Sequence, residues 1–227
     1  MKKLSHNRII DYFPTIKMNA SEPFEMLGIG YTVFEESKRS PSFDRRIQVD
    51  LDTSMVIEYA LYWNYDIEHL YDLEHIWLYL DHSYQVVKCE VSFHGQVING
   101  LTLNNYDDNG LFLYCQAGKH ALAPSLDVYE NWHNYRSCTS ETVGKDGFLV
   151  TPILENIMST NHEIDEKVKW YMQKFKFKLS ETYHAVDIPE VLFMPWTYLQ
   201  HEIPLLIKEE LAIIDYHLMM RKEVVCV

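Results

Sequence analysis

Asp72-Leu73-Glu74-His75-Ile76-Trp77-Leu78-Tyr79-Leu80 is rich in aromatic and apolar residues, stops at the polar Asp81-His82-Ser83, and is followed by a second apolar-alternating run over residues 85–93. Two strand-length runs around a short polar turn predict an antiparallel hairpin. If the first strand begins at Asp72, alternation puts Asp72, Glu74, Ile76, Leu78 and Leu80 on one face, so that two carboxylates cap an otherwise apolar stripe. Like charges beside a core repel. They call for solvent at the mouth of the strand, a basic partner, or a divalent cation.

Outward from this hairpin the chain continues in β style. Residues 96–103 and 111–116 flank Asn104-Asn105-Tyr106-Asp107-Asp108-Asn109-Gly110, whose Asn-Gly supplies the positive φ of a tight turn, and they predict a second hairpin. Upstream, Gly28-Ile29-Gly30-Tyr31-Thr32-Val33-Phe34 reads as one strand, and the basic run Lys38 to Arg46 reads as a solvated loop. After about residue 150 the texture becomes helical: Glu163 to Met172 has helical spacing with Asn161 as cap, and a second helix is expected to start after Pro204 with the proline in its first turn. The expected architecture is mainly β: an antiparallel β-sandwich core over about 25–150, with C-terminal helices over about 151–227 packed on it, in one domain spanning 1–227.

The 227 residues carry 20 Lys+Arg and 33 Asp+Glu, a formal charge of −13, and 47% hydrophobic residues. That balance disfavours nucleic acid as a partner, because duplex binding depends on Lys and Arg neutralising phosphates. Cys89, Cys115, Cys138 and Cys226 have neither disulfide-framework nor zinc-ribbon spacing and read as small hydrophobes. No secretory signal and no 18-residue apolar stretch is visible, so no transmembrane segment is expected and the expected location is cytoplasmic. An aromatic helical tail is compatible with a homodimer, and Met194-Pro195-Trp196 with the 16 tyrosines fits either an aromatic-rich surface or core packing.

No GxGxxG, Walker loop, GxSxG or HExxH motif occurs. The chemistry-bearing segment is Tyr65-Asp66-Ile67-Glu68-His69-Leu70-Tyr71-Asp72-Leu73-Glu74-His75. His69 has the wrong parity to share a face with Asp72 and Glu74 on a continuous strand, but a turn or bulge at Leu70-Tyr71 would bring it round, and Asp66 in the preceding loop could reach the same point. Carboxylates with one imidazole suit Mg²⁺, Ca²⁺ or Mn²⁺. An exposed Asp72 at such a mouth would tolerate an amide with little loss of stability. His94, on the same strand face as Glu90 and Ser92, and His120, after Gly118-Lys119, are the candidate proton-transfer groups. His133, in Trp132-His133-Asn134-Tyr135, belongs to an aromatic loop that could stack on a sugar ring.

His69-Leu70-Tyr71-Asp72-Leu73-Glu74 resembles the core of the Gly-His-Arg-His-Asp-Trp-Glu motif of the necrosis- and ethylene-inducing-peptide-like proteins, secreted cytolysins with a β-sandwich fold. Tyr62-Trp63-Asn64-Tyr65-Asp66 looks like the segment ahead of that motif, and Ser92-Phe93-His94-Gly95 is similar to its Ser-x-His-Gly element. Gly118-Lys119-His120-Ala121 looks more like a Gly-Ser-His-Ala segment of a related fungal vacuolar-sorting family. The likeness spans about residues 58–124. Leu70, Tyr71 and Leu73 stand where the motif has Arg, His and Trp. The resemblance implies a divalent cation on His69, Asp72, Glu74 and Asp66, and a glycosylated lipid as the type of ligand.

Three functions are therefore expected in competition. One is a cation-bridged binding module for a polar small molecule, glycan or lipid headgroup at the Asp66/His69/Asp72/Glu74 mouth. The second is a metal-dependent hydrolase with His94 or His120 as proton shuttle. The third is a structural or partner-binding protein without a site.

Overall fold

The computed structural model describes residues 5–132 and 135–225. In chain order its elements are α1 (His6–Asp11), β1 (Thr15–Asn19), β2 (Gly28–Phe34), β3 (Lys38–Arg39), β4 (Arg46–Ile47), β5 (Met55–Asp66), β6 (His69–Leu80), β7 (Val86–Phe93) and β8 (Gln96–Asn99). They continue with β9 (Tyr106–Asp107), β10 (Gly110–Cys115), β11 (Leu122–Ala123), α2 (Asp127–Glu130), β12 (Gly147–Phe148), α3 (His162–Met172), β13 (Tyr183–Ala185), β14 (Phe193–Pro195) and α4 (Trp196–Val225). The larger sheet runs β14-β2-β5-β6-β7-β8 with β12 beside β6; the smaller runs β11-β10-β1-β13 with β9 beside β10; β3 and β4 form a separate ribbon. Most pairings are antiparallel, and β1–β10, β6–β12 and β2–β14 are parallel. The mainly β architecture with a C-terminal helix on it is as the sequence predicts.

The β5–β6 hairpin is the spine. Its register pairs Met55 with Leu80 and Asp66 with His69 across a two-residue turn at Ile67-Glu68. The pleat separates two faces. Met55, Ile57, Tyr59, Leu61 and Trp63 with Leu80, Leu78 and Ile76 form one face, which meets the smaller sheet's Ile16, Leu113 and Cys115 in one core cluster. The other face holds Gly28, Gly30 and Ala60 in register, and there α4 docks. An added Cβ at Gly30 would stand 2.8 Å from the Trp196 ring and 3.1 Å from Leu199. Each fully buried large side chain here contributes about 1.5–3 kcal/mol over its exposed state.

Several expectations are corrected. Residues 96–103 and 111–116 do not pair with each other: β8 returns onto β7, and β10 joins the other sheet. Asn109-Gly110 still turns the chain, at Gly110 φ +99°, but for the short β9–β10 ladder. The strands also exceed 25–150, because β1, β13 and β14 belong to the sheets. Pro204 lies inside α4. The buried stripe Trp196, Leu199, Ile203, Ile207 and Ile214 carries the helix through it, since burial along one face outweighs one missing backbone donor. Of the two roles open to Trp196 from sequence, surface or core, it takes the core, at 3% exposure.

Other readings hold. Asn161 Oδ1 accepts the Ile164 N–H and caps α3. Cys89, Cys115 and Cys138 are buried thiols. Within the basic run, Lys38, Arg39 and Arg46 are exposed, but Ser42 is buried and the Arg45 guanidinium lies 4.4 Å over the Trp77 ring and bonds Glu90 at 2.6 Å. His133 and Cys226 lie outside the described residues. Among the described residues no helix is long and apolar enough to cross a membrane.

Candidate functional site

β6 changes partner along its outer edge. Its first two residues, His69 and Leu70, pair with β12, and β7 takes over only from Ile76 opposite Val91. Between them, residues 71–75 have no ladder on that side among the described residues. At the upper end of the gap Ser92 substitutes for the ladder: its Oγ accepts the His75 N–H at 2.6 Å and donates to the Glu74 carboxylate. The gap opens into a cavity of about 890 Å³ whose wall includes all of Tyr71, Asp72, Leu73, Glu74 and His75. Both strand parities line it because it lies at an open strand edge and not on one sheet face.

Tyr71 marks the irregularity expected at Leu70-Tyr71. Its φ is +80°, in a region that bulky residues avoid, yet the β5–β6 register is the same on both sides of it. The pleat is broken without an inserted residue, and His69 joins Asp72 and Glu74 on the cavity wall. Asp66 is also on the wall, but as the last residue of β5 and not in a loop.

The acids are held unequally. Asp66 takes the Lys119 Nζ at 3.0 Å on Oδ1 and 2.8 Å on Oδ2, accepts the Glu68 N–H at 2.6 Å, and has His69 Nε2 at 3.8 Å. Burial disfavours its charge, but His69 and Lys119 outweigh that and hold the carboxyl below its ordinary value. Asp72 Oδ2 faces His120 Nδ1 at 2.8 Å, and its Oδ1 accepts the Leu73 N–H at 2.9 Å. Burial, and then the Asp72 charge, drive Glu74 well above the ordinary carboxylate range against the opposing Ser92 hydrogen bond. The neutral form of Glu74 is thus favoured, while Asp72 is ion-paired.

Of the two histidines expected to move protons, one lines the cavity. His94 caps the β7–β8 turn with Gly95, both at positive φ, stacks on Trp132 and bonds Gln116 Oε1 through Nε2 at 2.8 Å. Burial lowers its pKa against the Gln116 bond, which keeps it neutral near pH 7. His120 lies beneath the wall at 0% exposure. Burial works against its charge, but Glu22 and Asp72 push its pKa up to about 10, so it serves as a fixed cation and not as an exchanger of protons with solvent.

Carboxylate oxygens and an imidazole are suitable donors for Ca²⁺, Mg²⁺ or Mn²⁺. His69 Nδ1 is buried with no hydrogen-bond partner among the described residues. Among the described residues no group of three or more His, Cys, Asp or Glu is placed so that it could hold a metal ion. The positive charge at Asp66 comes from Lys119.

No family model matches the chain, and no curated protein matches it in sequence. It is similar to two solved structures. One, described as NLPPya in complex with glucosamine, is 15% identical with a TM-score of 0.35, over 55% of this chain and 70% of that one. The other, a triple mutant of NLPPya, is 15% identical with a TM-score of 0.32, over 63% and 82%. Likeness of this degree assigns neither family nor function.

Glu22 and Gln116 are site residues that sequence reading passes over, and Glu68 and Lys119, though they stand in quoted segments, receive no role from it. Their partners are far away in the chain, Lys119 being 53 positions from Asp66 and Glu22 98 from His120. Glu68 takes Lys119 at 2.9 Å, Lys145 at 2.8 Å and Thr142 at 2.5 Å. On the far lip, Ser42 Oγ bonds buried Glu58 at 2.7 Å and His75 Nε2 at 3.1 Å, which anchors the segment between β3 and β4 over the cavity. Burial lowers His75 to about 3, so its ring is neutral.

Proposed function

We propose that the protein is a binding module whose cavity takes a small polyhydroxylated ligand, a sugar or polar headgroup, with a divalent cation held by Asp72, Glu74, His69 and Asp66. The supporting observation is the gap on β6, which brings carboxylates, imidazoles and a serine hydroxyl into a cavity of about 890 Å³, within the roughly 300–1,000 Å³ of small-molecule pockets. Phe43, Tyr71 and Pro152 on the same wall offer apolar faces to the C–H side of a sugar ring, while the acids accept its hydroxyls. The bound cation would supply fixed positive charge between carboxylates and ligand oxygens. The distant resemblance to the cytolysin family is consistent with this reading.

Calorimetric titration of glucosamine and glucose, with Ca²⁺, Mg²⁺ or Mn²⁺ and with chelator, tests it. Saturable binding of a sugar, weakened by chelator and lost in Glu74→Gln, is the expected result. A parent protein that binds neither sugar under any of these conditions overturns it.

A second reading, metal-dependent hydrolysis, is favoured by one observation: a neutral His94 shares the wall with the acid pair. Turnover of aryl glycosides or phosphoesters that disappears in His94→Gln would establish it, and absence of turnover in the cation-loaded parent would remove it.

A further inference from the structure

Of the acids on the cavity wall, Glu74 alone has no cation of its own among the described residues. Asp44 is paired with Arg39, Asp66 with Lys119 at 2.8 Å, and Asp72 with His120 at 2.8 Å. Glu74 Oε2 accepts the Ser92 hydroxyl, and Oε1 has no hydrogen-bond partner among the described residues, although the residue is only 8% exposed.

The strand edge beside Glu74 is biased in the same sense. The His75 N–H goes to Ser92 Oγ on β7, so the His75 backbone faces away from β5, and that of Leu73, two residues earlier, does so too. The Leu73 N–H is taken by Asp72 Oδ1 at 2.9 Å. Both outward donors are thus used by side chains, while the Leu73 carbonyl has no strand opposite it among the described residues. The His75 ring adds a further acceptor to the wall. Ser42 Oγ gives its hydrogen to Glu58 at 2.7 Å and therefore accepts from His75 Nε2 at 3.1 Å, which leaves Nδ1 bare, buried and without a partner among the described residues.

A wall with spare acceptors and one unpaired carboxyl calls for a donor that carries positive charge. A metal ion needs several ligands around one point, whereas an ammonium brings its own N–H donors and needs one carboxylate and neutral acceptors. The formal charge of −13 attracts cations to the protein as a whole. Burial and the Asp72 charge disfavour a bare Glu74 carboxylate, against Ser92 and His120, and a cation beside it reverses that balance. Phe43, Tyr71, Leu149, Pro152 and Ile153 on the same wall offer contact to a carbon skeleton.

We propose that the cavity takes a small alkyl primary amine as its ammonium ion, with the Glu74 carboxylate as its charge partner and the Leu73 carbonyl accepting a second N–H. This rests on the ligand-cavity reading above, names a ligand class for it, and needs no metal ion. Glu74 is then the residue that sets specificity for charge.

The experiment titrates hexylamine, hexanol and hexyltrimethylammonium into the parent and Glu74→Gln, followed by calorimetry and by backbone amide NMR shifts. Chelator is present throughout, with salt at about 0.15 M to screen unspecific attraction to the acidic surface. In the parent, hexylamine is expected to bind at least about tenfold more tightly than hexanol, the worth of one charge-assisted hydrogen bond. Hexyltrimethylammonium keeps the charge but has no N–H, so it should lose most of that gain. The shifts should centre on the amides of residues 73–75, and Glu74→Gln should bind amine and alcohol alike.

Hexylamine that binds no more tightly than hexanol, or whose advantage survives in Glu74→Gln, overturns the proposal. Should Glu74→Gln not fold, the three ligands and the shift positions in the parent decide alone. Glucose binding by a parent that does not prefer hexylamine removes the amine and leaves the sugar reading standing. An amine preference lost in Glu74→Gln, with no sugar bound, upholds the amine and removes the sugar reading instead.

Discussion

His120 Nδ1 stands 2.8 Å from Asp72 Oδ2 while the His120 ring lies flat on the Trp63 indole, with centroids 4.3 Å apart and planes at 1°. Trp63 and Asp72 are direct partners across the β5–β6 ladder, so the indole sets the plane in which the imidazole meets the carboxylate. Glu22 Oε1 lies 3.4 Å from the other ring nitrogen. One buried cation thus serves two acids at the base of the cavity, and Glu74, two residues on, is left with Ser92.

Replacing His120 with Gln should therefore be severe. Removing one member of a buried charge cluster strands its partners, typically at a cost of about 3–5 kcal/mol. The pH dependence has a definite sign. The folded-state pKa, near 10, is above the ordinary 6.5, so the stabilisation is complete below about pH 6.5 and is lost as pH rises through the folded value. Urea unfolding from pH 6 to 10 should show the parent declining over that window and His120→Gln lacking that part of the decline. A parent curve flat across the window would contradict the ion-pair assignment.

Asp72→Asn should also lose stability. From sequence this position reads as an exposed mouth residue tolerant of an amide, but Asp72 is 8% exposed and ion-paired to His120. The amide leaves a buried imidazolium with only Glu22, and a loss of about 2–4 kcal/mol is expected. Chemical denaturation at pH 7 measures it; a change below about 0.5 kcal/mol, the range of ordinary surface substitutions, would restore the exposed reading.

The legible part of the fold was what local pattern controls. Alternation in β6 and β7, the turn at 81–83 and the Asn161 cap are all decided by neighbours within a few residues. Strand partners were less legible. Residues 111–116 alternate well, but β10 takes β1, almost a hundred residues earlier, because the second sheet needs a cover for Ile16 and Leu113. At the site, Asp72, Glu74 and His69 were readable as a dense acid-His segment, and all three line the cavity. Lys119 and Glu22 were not, since no periodicity relates a residue to an ion-pair partner across the fold.

Gly30→Ala should destabilise through α4. The backbone at Gly30 is ordinary, so the requirement is space: the new Cβ would stand 2.8 Å from Trp196 Cε3 and 3.1 Å from Leu199. Trp196 is buried and α4 is anchored further along by Glu210, which accepts from Asn64 and from Tyr65 at 2.8 and 2.7 Å. The helix cannot yield freely, and overpacking of this type costs about 1–3 kcal/mol. A lower melting temperature with faster amide exchange in 196–210 is the expected signature. Unchanged exchange there would mean that α4 does not rest on Gly30.

Glu74→Gln separates folding from binding. Burial and the neighbouring Asp72 charge hold the Glu74 carboxyl well above its ordinary 4.5, so the folded state binds a proton that the unfolded chain has released. A raised carboxyl contributes stability that is complete below the unfolded pKa and fades as pH rises towards the folded value. Glutamine, neutral at every pH and nearly the same shape, removes that loss, so at pH 7–8 Glu74→Gln should be as stable as the parent or more so. Its effect on ligands runs the other way. On the proposed cation reading, a divalent ion at this end of the mouth competes with the favoured neutral form of Glu74, so parent binding should tighten as pH rises and release protons measurable from the buffer dependence of the calorimetric heat. In Glu74→Gln neither the proton release nor the cation-induced rise in melting temperature should remain. A variant that keeps the parent's cation-induced shift would place the ion elsewhere, and one that fails to fold at pH 7 would make the Glu74–Ser92 contact a structural bond in place of a binding group.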